Sequence, residues 1–441
     1  MKILYIAHRI PYPPNKGDKI RSFNEVKYLS KQHDIDLICL ADNPDDLRFK
    51  ENLEKYCRRV FVQPFDTKLA KIRGLIRLLS GGSISAGYFY LKAVQKIVNQ
   101  WLSDTKYDAV ICFSSPMAEY LFRSNPLNTS HLTLNTVFIM DFCDLDSDKW
   151  RQYSAQSLFP LNLIYRMEYK RLLEYEKKIN AAFDHSVFVS GQEAELFYQL
   201  NPKARNVSVI ANGVDSEYFC PKDLTPRPPS LKGKGEKSDA SPLRSGEGQE
   251  AGLAEKSVGE NSPLRFGEGS GEGLLMFAGA MDYHANIDGV QWFCKTIFPA
   301  IQAVHSDAQF YIVGSKPAPK VVELGKLEGV TVTGFVEDIR PYYHAAQICV
   351  IPLRLARGVQ NKVLEAMSVG KAVVTTSAAI RGISPVSDNC LMVADTPEEF
   401  AEKVLILLEN ADLRKSLGKN AREFVQSRYD WQTNMNKFVI C

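Results

Sequence analysis

The sequence predicts an α/β protein of two doubly wound parallel-sheet domains. Two observations carry this. Short apolar runs alternate with helical patterns in both halves of the chain, the signature of parallel sheets covered on both faces. One stretch in the middle is foreign to both halves; without it 389 residues remain, enough for two domains of about 200 each.

The first run is Ile3-Leu4-Tyr5-Ile6-Ala7. Five apolar residues are too few for a signal-peptide core but suit a buried strand. The first-half strand candidates are 2–7, 35–40, 59–63, 108–113, 136–142 and 185–190, with helical stretches near 18–32, 90–103 and 162–182. In the second half they are 207–211, 274–280, 309–314, 330–335, 347–353, 372–376 and 390–394, with helices near 287–303, 361–369 and 397–409. The domains are expected at 1–205 and 206–421, with 422–441 packing back on the first. A cleft between two such domains, at the carboxyl ends of the strands, is the default ligand site.

The foreign stretch runs from Lys222 to Gly273. It holds 10 of the 27 glycines, five prolines, seven serines and one aromatic residue, Phe266. Such a segment cannot bury enough apolar surface to offset its ordering entropy, so a disordered low-complexity insert is expected. Ser241–Gly248 recurs as Ser262–Gly269 with seven of eight positions identical. A partner-binding linker is the other reading. A surface insertion is favoured, because loop-closure entropy grows only logarithmically with length.

Net charge is +3 from 54 basic and 51 acidic residues, which argues against a nucleic-acid binder. The nine cysteines include no Cys-x-x-Cys, and no histidines pair closely, so a zinc site is not indicated. An odd, unclustered cysteine count fits reduced thiols. No 18-residue apolar run occurs. The expected location is the cytoplasm, or a membrane surface facing it.

Neither Gly-x-Gly-x-x-Gly after the first strand nor Gly-x4-Gly-Lys-Ser/Thr is present, which disfavours a dinucleotide-dependent dehydrogenase and a P-loop enzyme. The most informative stretch is Arg357-Gly-Val-Gln-Asn-Lys-Val-Leu-Glu-Ala-Met-Ser-Val-Gly-Lys-Ala-Val-Val-Thr375. Gly358 lets backbone approach a ligand. A helix starting near Gln360 offers free N–H groups and a positive dipole end to a pyrophosphate. Lys362 and Glu365 share one helix face: a cation for phosphates and a carboxylate for ribose hydroxyls. A surface Lys–Glu pair is the competing reading of that spacing.

This stretch resembles the donor-binding signature of the retaining GT-B glycosyltransferases of family 4, from Glu365 to Val374. Val209-Ile-Ala-Asn-Gly-Val-Asp215, Leu275–Asn286 and Tyr429-Asp-Trp431 resemble other segments of that family, the last being where the chain crosses back to the first domain. Pro11–Phe23 and Asp144–Tyr153 resemble the branch called the PEP-CTERM/exosortase-associated sugar transferase, linked to exopolysaccharide gene clusters. The resemblance implies two Rossmann-like domains and an interdomain cleft. It implies a nucleotide diphosphate sugar as donor, a glycan or lipid-linked glycan as acceptor, and no obligatory metal. Donor contacts would be Gly17, Arg357, Gly358, Asn361, Lys362 and Glu365.

The chain departs from the family pattern at three places. The first Glu of the family's Glu-x7-Glu falls on Arg357, and its phosphate-binding Arg and Lys fall on Met281 and Asn286. Arg357 and Lys362 could supply that charge. Where many relatives have a His, this chain has Cys143-Asp144; Asp144 is the candidate for orienting the acceptor or taking its proton, and Arg357 the second catalytic candidate. On the acceptor side stand Lys19, Arg21, Asp146, Lys149 and Arg151, and also Trp150, which fits a core position as well. Gly17, with Lys16 beside it, also reads as a plain turn before a solvated helix start. Asp144, Asp146 and Asp148 also read as a metal–diphosphate motif of the GT-A fold, or as a helix cap with surface acids. The GT-A reading is set aside because the donor signature lies in the second half. Alternatives to sugar transfer are a nucleotide-sugar epimerase of the same fold and a non-catalytic nucleotide-sugar binder.

Residues 67–79 set Leu69, Ile72, Ile76 and Leu79 on one helical stripe, flanked by Lys68, Lys71, Arg73 and Arg77. One reading is a helix lying in an anionic membrane surface. The other is an ordinary amphipathic helix packed on the first sheet.

Overall fold

The computed structural model describes residues 1–14, 16–124, 136–221, 273–356, 358–383 and 386–438. The insert lies almost wholly outside the described residues, and so does Arg357.

The first sheet contains β1 Lys2–Ala7, β2 Asp34–Ala41, β3 Arg59–Pro64, β4 Ala109–Phe113, β5 Val137–Cys143, β6 His185–Phe188 and β7 Val207–Val209, in the order β3-β2-β1-β4-β5-β6-β7. The second contains β8 Leu274–Ala278, β9 Gln309–Val313, β10 Val330–Gly334, β11 Ile348–Ile351, β12 Ala372–Thr375 and β13 Met392–Val393, in the order β10-β9-β8-β11-β12-β13. Every pairing is parallel. The two-residue period of a strand divides the first sheet's core in two. Ile3, Tyr5 and Ala7 join one face, and Leu4 and Ile6 the other.

The structure moves two expected boundaries. The run near 207 was expected in the second half, but β7 pairs with β6 and forms an edge of the first sheet. A three-residue strand carries no sign of which sheet it joins. The C-terminal crossing is also later than residue 422. The helix Ala411–Arg428 packs on the second domain, burying Leu417, Gly418, Ala421 and Val425. Tyr429 still belongs to that core, whereas Trp431, Met435 and Phe438 join the first. A bridge between Val214 and Asp430 ties the two crossing segments together.

The helix Thr67–Leu79 does not bury its apolar stripe. It buries Ala70, Gly74 and Leu78 instead. A Cβ at Gly74 would meet Ile84 Cγ2 at 2.9 Å, so the glycine permits close packing on the helix Ile84–Phe89.

Candidate active site

Both sheets reverse strand order once, between β1 and β4 and between β8 and β11, the places where open α/β sheets hold ligands. His8 follows β1, Ser114 follows β4, and Asp144 follows β5; Gly279 follows β8, and Gly358 lies in the loop after β11. Ser114 and Cys143 have φ of 75° and 62°, a strained region for residues other than glycine, and such strain clusters at functional sites. The Cys143 N–H donates to Asp141 Oδ1 at 2.7 Å, which helps hold the turn.

Gly358 brings the two domains together. Its φ is +57°, and a Cβ there would lie 3.0 Å from Asp144 Oδ1. Asp144 is exposed to solvent, with protein atoms crowded around it on the other sides. Burial, and then the neighbouring Asp146, push its carboxyl up to about 6. That is a poised acid or base at neutral pH.

Of the residues expected at the donor, Lys362 and Glu365 lie on the less buried face of the helix Asn361–Ser368. Lys362 Nζ donates to Asn286 Oδ1 at 3.1 Å and Gln360 Oε1 at 3.4 Å, and sits 5.5 Å from the Phe277 ring centre. Among the described residues, no carboxylate comes within 4.0 Å of it. Burial pushes its ammonium down to about 8, against the pull of Glu365. Burial raises the Glu365 carboxyl, although the Tyr343 hydroxyl donates to its Oε2 at 3.0 Å. Asn361 Oδ1 accepts from Asn212 Nδ2 at 3.4 Å, linking the first turn of this helix to the segment after β7.

The acceptor-side candidates separate into two groups. Arg21 is fully buried. Its Nε and Nη2 donate to Asp141 Oδ2 at 2.8 and 2.6 Å, its Nη1 donates to the Ile210 carbonyl at 2.7 Å and Asn212 Oδ1 at 3.2 Å, and Glu25 lies 3.0 Å away. It cannot touch an acceptor; it joins strands and helix inside the domain. Lys19 is buried against Asp46 at 2.7 Å. A charge run on an amphipathic helix does not say which charges turn inward, and here both find carboxylates across the fold.

Gly17 is exposed, and a Cβ there would meet nothing within 4 Å, so open space lies beside it. Asp146 accepts from the Ser114 hydroxyl at 3.5 Å, and Lys149 is exposed and close enough to lower the Asp144 carboxyl. Arg151 pairs with Asp148 at 2.6 Å. Asp144, Asp146 and Asp148 therefore do not converge, and among the described residues no three metal-binding side chains are grouped to hold an ion. Trp150 packs its ring on Tyr165 at 5.3 Å and Tyr153 at 6.0 Å.

Sequence reasoning did not single out His8 and Tyr343, and it named Asn212 and Asn286 only within segments that resemble the family. His8 stacks on Phe113 at 5.7 Å and lies 3.3 Å from Asp18. Burial raises the Asp18 carboxyl, but His8 and Arg9 overcome this and hold it well below the usual range. The one signal was position: His8 is the first polar residue after an apolar strand.

Residues 272–410 match the family model described as glycosyl transferases group 1. An uncharacterized 44.6 kDa protein in the cps region of Klebsiella pneumoniae is 22% identical, covering 97% of this chain and 96% of that protein. The N,N'-diacetylbacillosaminyl-diphospho-undecaprenol alpha-1,3-N-acetylgalactosaminyltransferase of Campylobacter jejuni is 23% identical over 60% of this chain and 59% of its own length. Among solved structures, the sucrose-phosphate synthase of Thermosynechococcus elongatus superposes with a TM-score of 0.64 at 15% identity, covering 99% of this chain and 97% of that one. HepE of Anabaena, solved with UDP, gives 0.59 at 15% identity, covering 99% and 98%. The chain has the GT-B glycosyltransferase fold, and residues 272–410 of its second domain are similar to the group 1 glycosyl transferase model.

Proposed function

We propose that the protein is a retaining glycosyltransferase that moves a sugar from a nucleotide diphosphate donor to a hydroxyl of a glycan or lipid-linked glycan, in the making of a surface polysaccharide. The observation that carries this is the contact region at Gly358, where Asp144 of one domain meets the loop that leads into the Asn361 helix of the other. Lys362 is a half-buried cation whose hydrogen bonds, among the described residues, go to amide oxygens, and a diphosphate would restore its proton affinity. The helix N-terminus adds N–H donors, so leaving-group charge gathers where donors wait for it. Glu365 would take the ribose hydroxyls with the oxygen that Tyr343 does not occupy. Arg357, beside Gly358 in sequence, would add a second cation to the diphosphate, and Gly17 would leave room beside it. Asp144 would orient the acceptor or accept its proton, and Asp146, Lys149 and Arg151 would line its approach.

The relatives support the acceptor class. One comes from a cps region, and another is named for transfer onto a diphospho-undecaprenol-linked sugar. Product analysis tests the reading. Incubation with donor alone should leave the sugar unepimerised, and transfer should need an acceptor, with the new bond keeping the donor's anomeric configuration by NMR. Epimerisation without acceptor, inversion, or no turnover with any donor would each refute it.

A further inference from the structure

We infer that the outer face of the helix Thr67–Leu79, together with the turn at Leu158–Leu163, rests on an anionic lipid bilayer. The helix presents Leu69, Ile72, Leu75, Ile76 and Leu79 outward, and Leu79 is 77% exposed. This reverses the usual arrangement, in which a surface helix turns its apolar stripe to the core. Here the core contact is made by Ala70, Gly74 and Leu78.

A second apolar cluster lies on the turn after the helix Asp146–Gln156. Leu158 and Phe159 are 86% and 79% exposed, and Leu161 and Leu163 are exposed beside them. A pocket of about 370 Å³ beside the helix is lined by Lys71, Leu75, Ile84, Tyr88, Phe89 and Trp150. Trp150 lies on the helix Asp146–Gln156, which leads into the exposed turn. Scattered apolar side chains on a surface mean little, but a stripe whose pocket reaches the helix that leads into an exposed apolar turn forms a patch.

The charge around the patch selects the occupant. Lys68, Lys71, Arg166 and Lys170 are exposed around it. Arg73 and Arg77 turn inward, to the Tyr88 carbonyl at 3.1 Å and Glu119 at 3.3 Å, and serve the fold. A cationic rim around apolar side chains matches acidic headgroups over hydrocarbon. Among the described residues no helix is long and apolar enough to cross a membrane, so the contact is with the surface. The inference stands apart from the choice of acceptor.

Co-sedimentation tests it, with vesicles of phosphatidylcholine alone and of phosphatidylcholine with phosphatidylglycerol. The full chain should bind the second kind only, and high salt should release it. Lys68→Gln with Lys71→Gln should weaken binding by about tenfold or more. Leu69→Ser, Ile72→Ser, Ile76→Ser and Leu79→Ser together should abolish it, and so should Leu158→Ser with Phe159→Ser. These side chains are exposed, so melting temperature and transfer to a water-soluble acceptor should stay unchanged. A loss of that transfer in a folded variant would overturn the assignment. So would equal binding to both vesicles, no binding, or a concentration-dependent dimer that the same serine variants dissolve.

Discussion

On the first-domain wall of the cleft, each cation that turns inward faces a carboxylate. Arg21 meets Asp141 and Glu25, Lys19 meets Asp46, and Arg9 meets Asp18 and Asp42. On the second-domain wall, Lys362 meets the amide oxygens of Asn286 and Gln360. Burial acts on both Arg21 and Lys362, yet the Arg21 guanidinium is raised, because Asp141 and Glu25 overcome desolvation, while the Lys362 ammonium falls. A buried cation with matched carboxylates is neutralised in place and builds structure. One held by neutral dipoles keeps its field for an incoming anion.

The contrast is broken most sharply by Arg21→Met. That change leaves Asp141 and Glu25 buried without their cation, and it should lower unfolding free energy by about 3–5 kcal/mol in denaturant titration. Lys362→Met should leave stability nearly untouched. If both variants unfold alike, the two walls do not differ as described.

The next largest effect is on the ligand. Lys362→Met with Arg357→Met should abolish calorimetric binding of the nucleoside diphosphate and spare the nucleoside. Binding of the diphosphate needs the charged lysine. Its affinity in the wild type should therefore fall as pH rises through about 8, with proton uptake on binding in that range. The Lys362→Met single variant should lose that slope.

Glu365→Ala should weaken donor binding by about 1.5–3 kcal/mol, the worth of a charge-assisted hydrogen bond. Tyr343→Phe removes only the hydroxyl that braces Glu365 and should cost about 1 kcal/mol. Equal losses would mean that Glu365 acts through its packing rather than on the donor.

The smallest expected effect is a stability change at Asp144. Its folded carboxyl titrates near 6, above its ordinary value, so the charged form weighs against the fold. That burden is full above pH 6 and vanishes below about pH 4. Asp144→Asn should raise the melting temperature slightly at pH 7 and not at pH 4, while transfer activity is lost. A variant that melts lower at both pH values would show a structural role only.

The outward stripe on Thr67–Leu79 shows one limit of reading periodicity. The sequence marks the stripe but not the side of the helix it faces. Small residues at 70 and 74 decided that, because they allow the helix Ile84–Phe89 to approach. The same limit separates Arg21 from Lys149. Both stand in unusual charged motifs, but one is sealed inside and the other faces solvent.

Local pattern by itself determined the two parallel sheets, most strand positions and the Asn361 helix with Lys362 and Glu365 on one face. These follow from periods of 2 and 3.6, which are properties of the backbone. Only the tertiary structure placed Asp144 beside Gly358, set β7 in the first sheet and gave Arg21 to Asp141. Those partners are separated by 214, 21 and 120 positions in the sequence. Nothing in a local period encodes a contact made by closing so long a loop.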